Sequence, residues 1–127
     1  MMKKICGILS MLIFLGLLGI AGLLFVPKIL GYSQYAVLSG SMEPGIPVGA
    51  IVYDRAFSGE TLEEGAVVTY ELSPETLVTH RVISVDQEDQ TVITQGDANN
   101  VADASPVAWQ QIVGVYVFHV PYLGYIS

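Results

Sequence analysis

The chain has 127 residues, 52% of them apolar and only 13% charged, which is greasier than a soluble domain of this size normally is. Residues 29–127 hold all 12 Asp and Glu against Arg55 and Arg81 alone, a formal charge of −10, and this excludes nucleic acid, which demands a positive footprint. A single cysteine, Cys6, excludes a disulfide framework and a thiolate zinc cluster, so one small domain must build its core from packed strands.

The first predicted element is a membrane anchor. Residues 5–27 contain no charge and would measure about 34 Å as a helix at roughly 1.5 Å per residue, enough to cross a bilayer. Lys3 and Lys4 precede the run and Lys28 follows it, so the positive-inside tendency places the N-terminus in the cytoplasm. A cleavable export signal is the competing expectation, but its apolar core usually spans about 7 to 15 residues before a small-x-small site. Here the run is longer and opens into VPKILGYSQY. The expected division is a cytoplasmic tip and transmembrane anchor over 1–28 and an extracytoplasmic, mainly β domain over 29–127.

Beyond the anchor, GYSQYAVL reads as a polar, Tyr-rich joint, and SGSMEPGIPVG (39–49) as a shaped loop whose glycines and prolines argue against a helix. Residues 50–57 (AIVYDRAF) and 66–71 (AVVTYE) are short, β-prone runs separated by SGETLEEG. LVTHRVISV (77–85) has the clearest strand composition. Alternation puts Val78, His80 and Val82 on one face, with Leu77, Thr79, Arg81, Ile83 and Val85 on the other. DQEDQ turns the chain into TVITQ (91–95), its predicted hairpin partner; GDANNVADASP is irregular, and QIVGVYVF is a last β-like run. No helical period of useful length occurs outside the anchor. The terminal VFHVPYLGYIS is too short to span a bilayer again, leaving three roles open: packing on the domain, touching the interface, or opening a second membrane segment.

Nucleophiles are scarce in the external part. With no cysteine there and no lysine beyond Lys28, an acyl-transfer nucleophile must be a hydroxyl, which needs a base beside it: His80, His119 or a carboxylate. Ser41 lies in a loop with Gly40 and Gly45, where an exposed amide can donate to a developing oxyanion, and Ser39 can add its hydroxyl. An ordinary hydrophilic turn is the alternative. His80, fixed mid-strand, has the ordinary pKa range of a general base, although a strand histidine is often only a satisfied side chain. Arg81 faces the other way and is expected to pair with an acid. His119, between Phe118 and Val120, reads as structural or interfacial and serves as a base only if His80 lies far from Ser41.

QGDANNVAD (95–103) carries Asp97 and Asp103 in an Asn-rich turn. Calcium binding is disfavoured because the loop lacks the EF-hand ligand pattern and its closing Glu. A carboxylate that fixes the imidazole tautomer fits better with Ser41 and His80. Gly96 fits a close backbone approach, and a solvated acidic loop is the plain alternative.

Taken together, SGSMEP at 39–44, LVTHRV at 77–82 and QGDANNVAD at 95–103, behind one N-terminal apolar segment, resemble type I signal peptidases. The likeness is to the Ser-His branch of archaea, the endoplasmic reticulum and some spore-forming bacteria, which has histidine where the larger bacterial and organellar branch has lysine. The resemblance implies a signal-peptidase-like β fold, with Ser41 as nucleophile, His80 as general base and Asp103 as the orienting carboxylate. It also implies Ser39 in the oxyanion site, Asp97 with Gly96 in support, and Met42 and Pro44 as loop-shaping residues. The implied activity is removal of N-terminal signal peptides from exported preproteins after small residues at −3 and −1, without cofactor or metal. The implied setting is the plasma membrane, with signal peptides, the bilayer and the translocation machinery as partners. Many relatives of this branch continue into a second membrane segment. Two rivals compete: a catalytically silent, membrane-anchored scaffold with the same β fold, and the self-cleaving repressor proteases, which generally use lysine and carry a DNA-binding domain.

Overall fold

Residues 5–27, rich in Leu, Ile, Val, Phe and Gly and uninterrupted by charge, form a helical stretch that is apolar on every side, flanked by lysines. In the computed structural model, which describes residues 1–125, α1 spans Met2–Ile29, and none of its residues is buried. A helix of this length and composition fits a transmembrane segment. It ends in a Schellman motif: Gly31 takes φ +97°, a conformation that needs glycine, while Gly31 N–H donates to Lys28 O and Tyr32 N–H to Pro27 O. The chain divides into two compact units, Met1–Tyr32 and Ser33–Ser127.

The second unit is an antiparallel sheet of seven strands. In chain order they are β1 (Ser33–Ala36), β2 (Ile51–Arg55), β3 (Val67–Ser73), β4 (Thr76–Asp86), β5 (Thr91–Gln95), β6 (Val107–Ala108) and β7 (Ile112–Val120). The spatial order is β1-β2-β7-β3-β4-β5-β6. The mainly β fold class follows from the sequence pattern. The Tyr-rich joint, however, contains β1, an edge strand formed by pairing Ser33–Ala36 with Asp54–Ile51. Single 3₁₀ turns occupy Trp109–Gln111 and Leu123–Tyr125.

Alternation along β3 sends neighbouring side chains to opposite faces, and each face has its own core. Val68 and Tyr70 join Leu62, Val82, Val92 and Ile112, with Phe57 and Trp109 packed alongside. Val67 joins Val52, Ala50, Met42 and Ile46, so the second core pins the 39–49 loop against β2 and β3. Burying Met42 and Ile46 holds that loop by about 1.5–3 kcal/mol each in area terms.

One facing assignment is corrected. Val85 was expected opposite Val82, yet both contribute to the same core. A register shift between Val82 and Ser84 inserts an extra residue into β4 and reverses the alternation beyond it.

Asp54, on β2, is fully buried against β7: a Cβ at Gly114 would lie 2.8 Å from Asp54 Cβ and 3.0 Å from its Oδ2. Neither Asp54 oxygen has a hydrogen bond of good geometry among the described residues. Burial pushes its pKa up to about 6, against which the Thr69 hydroxyl acts only in part.

The segment after β7 packs on the domain as far as Tyr125: Leu123 is buried and Gly124 N–H donates to Gly49 O. The last two positions of YLGYIS, Ile126 and Ser127, lie outside the described residues.

Candidate active site

Three side chains from distant parts of the chain form a continuous hydrogen-bond path. Ser41 Oγ, in the pinned loop, is 3.0 Å from His80 Nε2 on β4; His80 Nδ1 is 2.6 Å from Asp103 Oδ2, in the segment after β5. With the Nδ1 proton donated to the carboxylate, Nε2 carries the lone pair that can accept the serine proton. His80 is buried, which keeps competing water from the ring.

Asp103 is held by more than His80. The Thr94 hydroxyl lies 2.7 Å and the Tyr70 hydroxyl 3.2 Å from the same Oδ2, while Asp103 N–H donates to Thr94 O at 2.8 Å. Burial pushes this carboxyl up, but hydrogen bonds from His80, Thr94 and Tyr70 outweigh it and hold the pKa below the usual value. The Tyr70 ring also meets His80 edge-on, with centroids 6.4 Å apart. Neither Tyr70 nor Thr94 was identified from sequence; their one signal was a hydroxyl at an inward-facing position of a β-prone run.

The turn after β5 grips the serine loop. Ala98 N–H donates to Ser41 O at 2.8 Å, and Asp97 N–H points at Met42 Sδ at 3.3 Å. Gly96 makes that approach possible: a Cβ there would come within 2.6 Å of Ser41 O, 2.8 Å of Asn99 Nδ2 and 3.0 Å of His80 Nε2.

Asp97 stands apart from the Ser41–His80 path. It forms a two-pronged pair with Arg81, whose Nε and second terminal nitrogen reach its two oxygens at 2.9 and 2.8 Å. The remaining Arg81 nitrogen donates to Gly65 O at 2.8 Å. The pair lowers the Asp97 pKa and raises that of Arg81. Ser39 Oγ lies 3.2 Å from Ser41 Oγ. His119 takes no part in the Ser41 path; its Nδ1 is 2.7 Å from the Tyr116 hydroxyl. Among the described residues no cluster of His, Cys, Asp and Glu suits a metal ion.

A cleft of about 770 Å³ leads away from Ser41 and His80. One wall is Tyr35–Ser39, the other Glu75–His80, and Val52 and Thr69 line it as well. β5 pairs with β4 only from Arg81 onward, so the outer edge of residues 76–80 carries no strand partner. Such an arrangement can take an extended peptide by backbone hydrogen bonding.

No protein-family model matches the chain. It is 32% identical over 99 residues to Signal peptidase I W of Bacillus subtilis, covering 75% of this chain and 52% of that protein. Signal peptidase complex catalytic subunits SEC11 of Candida dubliniensis and Lodderomyces elongisporus are 34% and 35% identical over 104 residues, covering 72% of this chain and 61% of each relative. The chain thus spans about half to three fifths of the length of these curated relatives. Over the matched residues, the chain belongs to the type I signal peptidase family.

Proposed function

We propose that the chain is a membrane-bound serine endopeptidase that removes N-terminal signal peptides from preproteins. The observation that carries this reading is the Ser41–His80–Asp103 path, with its 3.0 and 2.6 Å links, at the end of a peptide-sized cleft. The names of the relatives support the same activity.

Ser41 Oγ attacks the scissile carbonyl carbon while His80 Nε2 takes the hydroxyl proton, and Asp103 stabilises the imidazolium that results. The carbonyl oxygen becomes an oxyanion beside the Ser41 N–H, which no other group engages among the described residues, and the Ser39 hydroxyl. His80 returns its proton to the departing amine as the C–N bond breaks, leaving an ester on Ser41. Water, deprotonated by the same nitrogen, then hydrolyses that ester and restores the serine. Protein groups supply every proton transfer.

The cleft beside Ser41 is bordered by Met42, Val37 and Val78, which suits small side chains at −3 and −1 of the substrate. α1 holds the enzyme in the plasma membrane with its N-terminus in the cytoplasm, and restricts it to cleavage sites presented at the outer leaflet, where the translocation machinery delivers them.

The test is cleavage of a membrane-inserted preprotein with Ala at −3 and −1, comparing the intact chain with Ser41→Ala, His80→Ala and Asp103→Ala in vesicles. Loss of cutting in all three folded variants is expected. Undiminished cutting by Ser41→Ala removes the mechanism, and a folded but silent intact chain favours the scaffold alternative.

A further inference from the structure

Among the residues lining the cleft, Glu75 is the only carboxylate. It lies in the turn between β3 and β4, between Ser73 and Thr76, the pair that closes the hairpin, at the end of its cleft wall farthest from His80. His80 follows five positions later, so at about 3.3 Å per strand residue Glu75 stands roughly 17 Å along the cleft from the reacting centre.

The charge inventory of the unit leaves Glu75 uncompensated. Its only basic residues are Arg55, paired with Glu60, and Arg81, paired with Asp97. Glu75 makes no ion pair among the described residues. An anion beside an apolar wall, within a strongly acidic unit, attracts a cation from whatever chain lies in the cleft.

Direction follows from the chemistry. In acyl transfer the segment N-terminal to the scissile bond stays esterified to the serine until water attacks, whereas the amine product leaves first. The long built cleft therefore serves the N-terminal side. We propose that Glu75 selects substrates with a Lys or Arg about five residues N-terminal to the scissile bond. The proposal rests on the peptidase reading above and adds a substrate class to it.

Glu75 is exposed, so the pair it forms is weak: a preference of roughly two- to fivefold in kcat/KM is expected, vanishing as salt shortens the Debye length to about 3 Å at 1 M. The experiment uses the intact chain in detergent and peptides with Ala at −3 and −1. Lysine, glutamine or glutamate is scanned through positions −8 to −4. The wild type should rank lysine above glutamine above glutamate at one position near −5, and only at low salt. Glu75→Gln should bring the three peptides together there, and Glu75→Lys should reverse their order. The same ranking in wild type and Glu75→Gln overturns the proposal, as does Ser41-dependent cutting with no charge preference at any position. Glutamine peptides left uncut, or cut equally by Ser41→Ala, overturn the peptidase reading and this one with it.

Discussion

Asp54→Asn tests the energetics of the carboxyl buried between β2 and β7. Its pKa is raised from 3.8 to about 6, so between those values the native state binds a proton that the unfolded chain has released. The protonated form is the one that folding favours: its contribution to stability is complete below about pH 4 and is lost as pH rises through about 6. At about 1.4 kcal/mol per pK unit, the shift amounts to about 3 kcal/mol. Asparagine keeps the shape but cannot ionise, so the variant lacks this pH dependence. Any fixed cost of burying an amide offsets its curve equally at every pH. Relative to the variant, the wild type should therefore lose about 2.5 kcal/mol between pH 4 and pH 8, or roughly 10–20 °C in Tm for a domain of this size. Unfolding of the intact chain in detergent can be followed through Trp109, the only tryptophan. Wild-type and Asp54→Asn stabilities that run parallel from pH 4 to pH 8 would refute the reasoning.

Gly96→Ala should fold but lose activity, because its methyl group forces Ser41 O and His80 Nε2 apart; a misplacement near 1 Å costs about 10²-fold in kcat, measurable on a peptide substrate. Thr94→Val removes one donor from Asp103 at nearly constant shape, so the carboxyl pKa should rise, with a stability loss of about 1–2 kcal/mol by chemical denaturation and a lower kcat at acid pH than at neutral pH. Asp103 itself contributes stability above its unfolded pKa that is lost as pH falls through its lowered native value; the direction of the Asp103→Ala effect on acid unfolding checks this. Arg81→Ala frees Asp97 on a partly exposed surface and should cost less than about 1 kcal/mol, yet slow cleavage more than stability alone predicts, because Asp97 belongs to the turn that holds Ser41 O.

Regular β-branched runs made β2, β3, β4, β5 and β7 legible, since period-two alternation over a buried face leaves a direct trace in sequence. β1 left none: Ser-Gln-Tyr-Ala lacks alternation and becomes a strand only because β2 offers it an edge. The Val85 facing failed for a different reason, a bulge that sequence periodicity does not encode. Ser41, His80 and Asp103 could be singled out because their chemistry and their resemblance to a family point the same way. Tyr70 and Thr94 could not, since a hydroxyl on a strand has many uses and only the fold aims these two at one oxygen. Asp54 was equally hidden. Its burial depends on the open space over Gly114, a residue 60 positions away in the chain.

The path from Ser41 to Asp103 joins residues 39 and 23 positions apart in the chain. No local segment brings the Ser41 hydroxyl and the His80 imidazole together; their contact forms only once β3, β4 and β5 have paired and the second core has closed over Met42. Sheets dominated by such distant contacts fold in about milliseconds to seconds, slowly compared with helical bundles. On the proposed peptidase reading, a newly made chain is chemically harmless until that contact forms. Assembly of the Ser41–His80–Asp103 path is therefore a late, cooperative event tied to completion of the sheet.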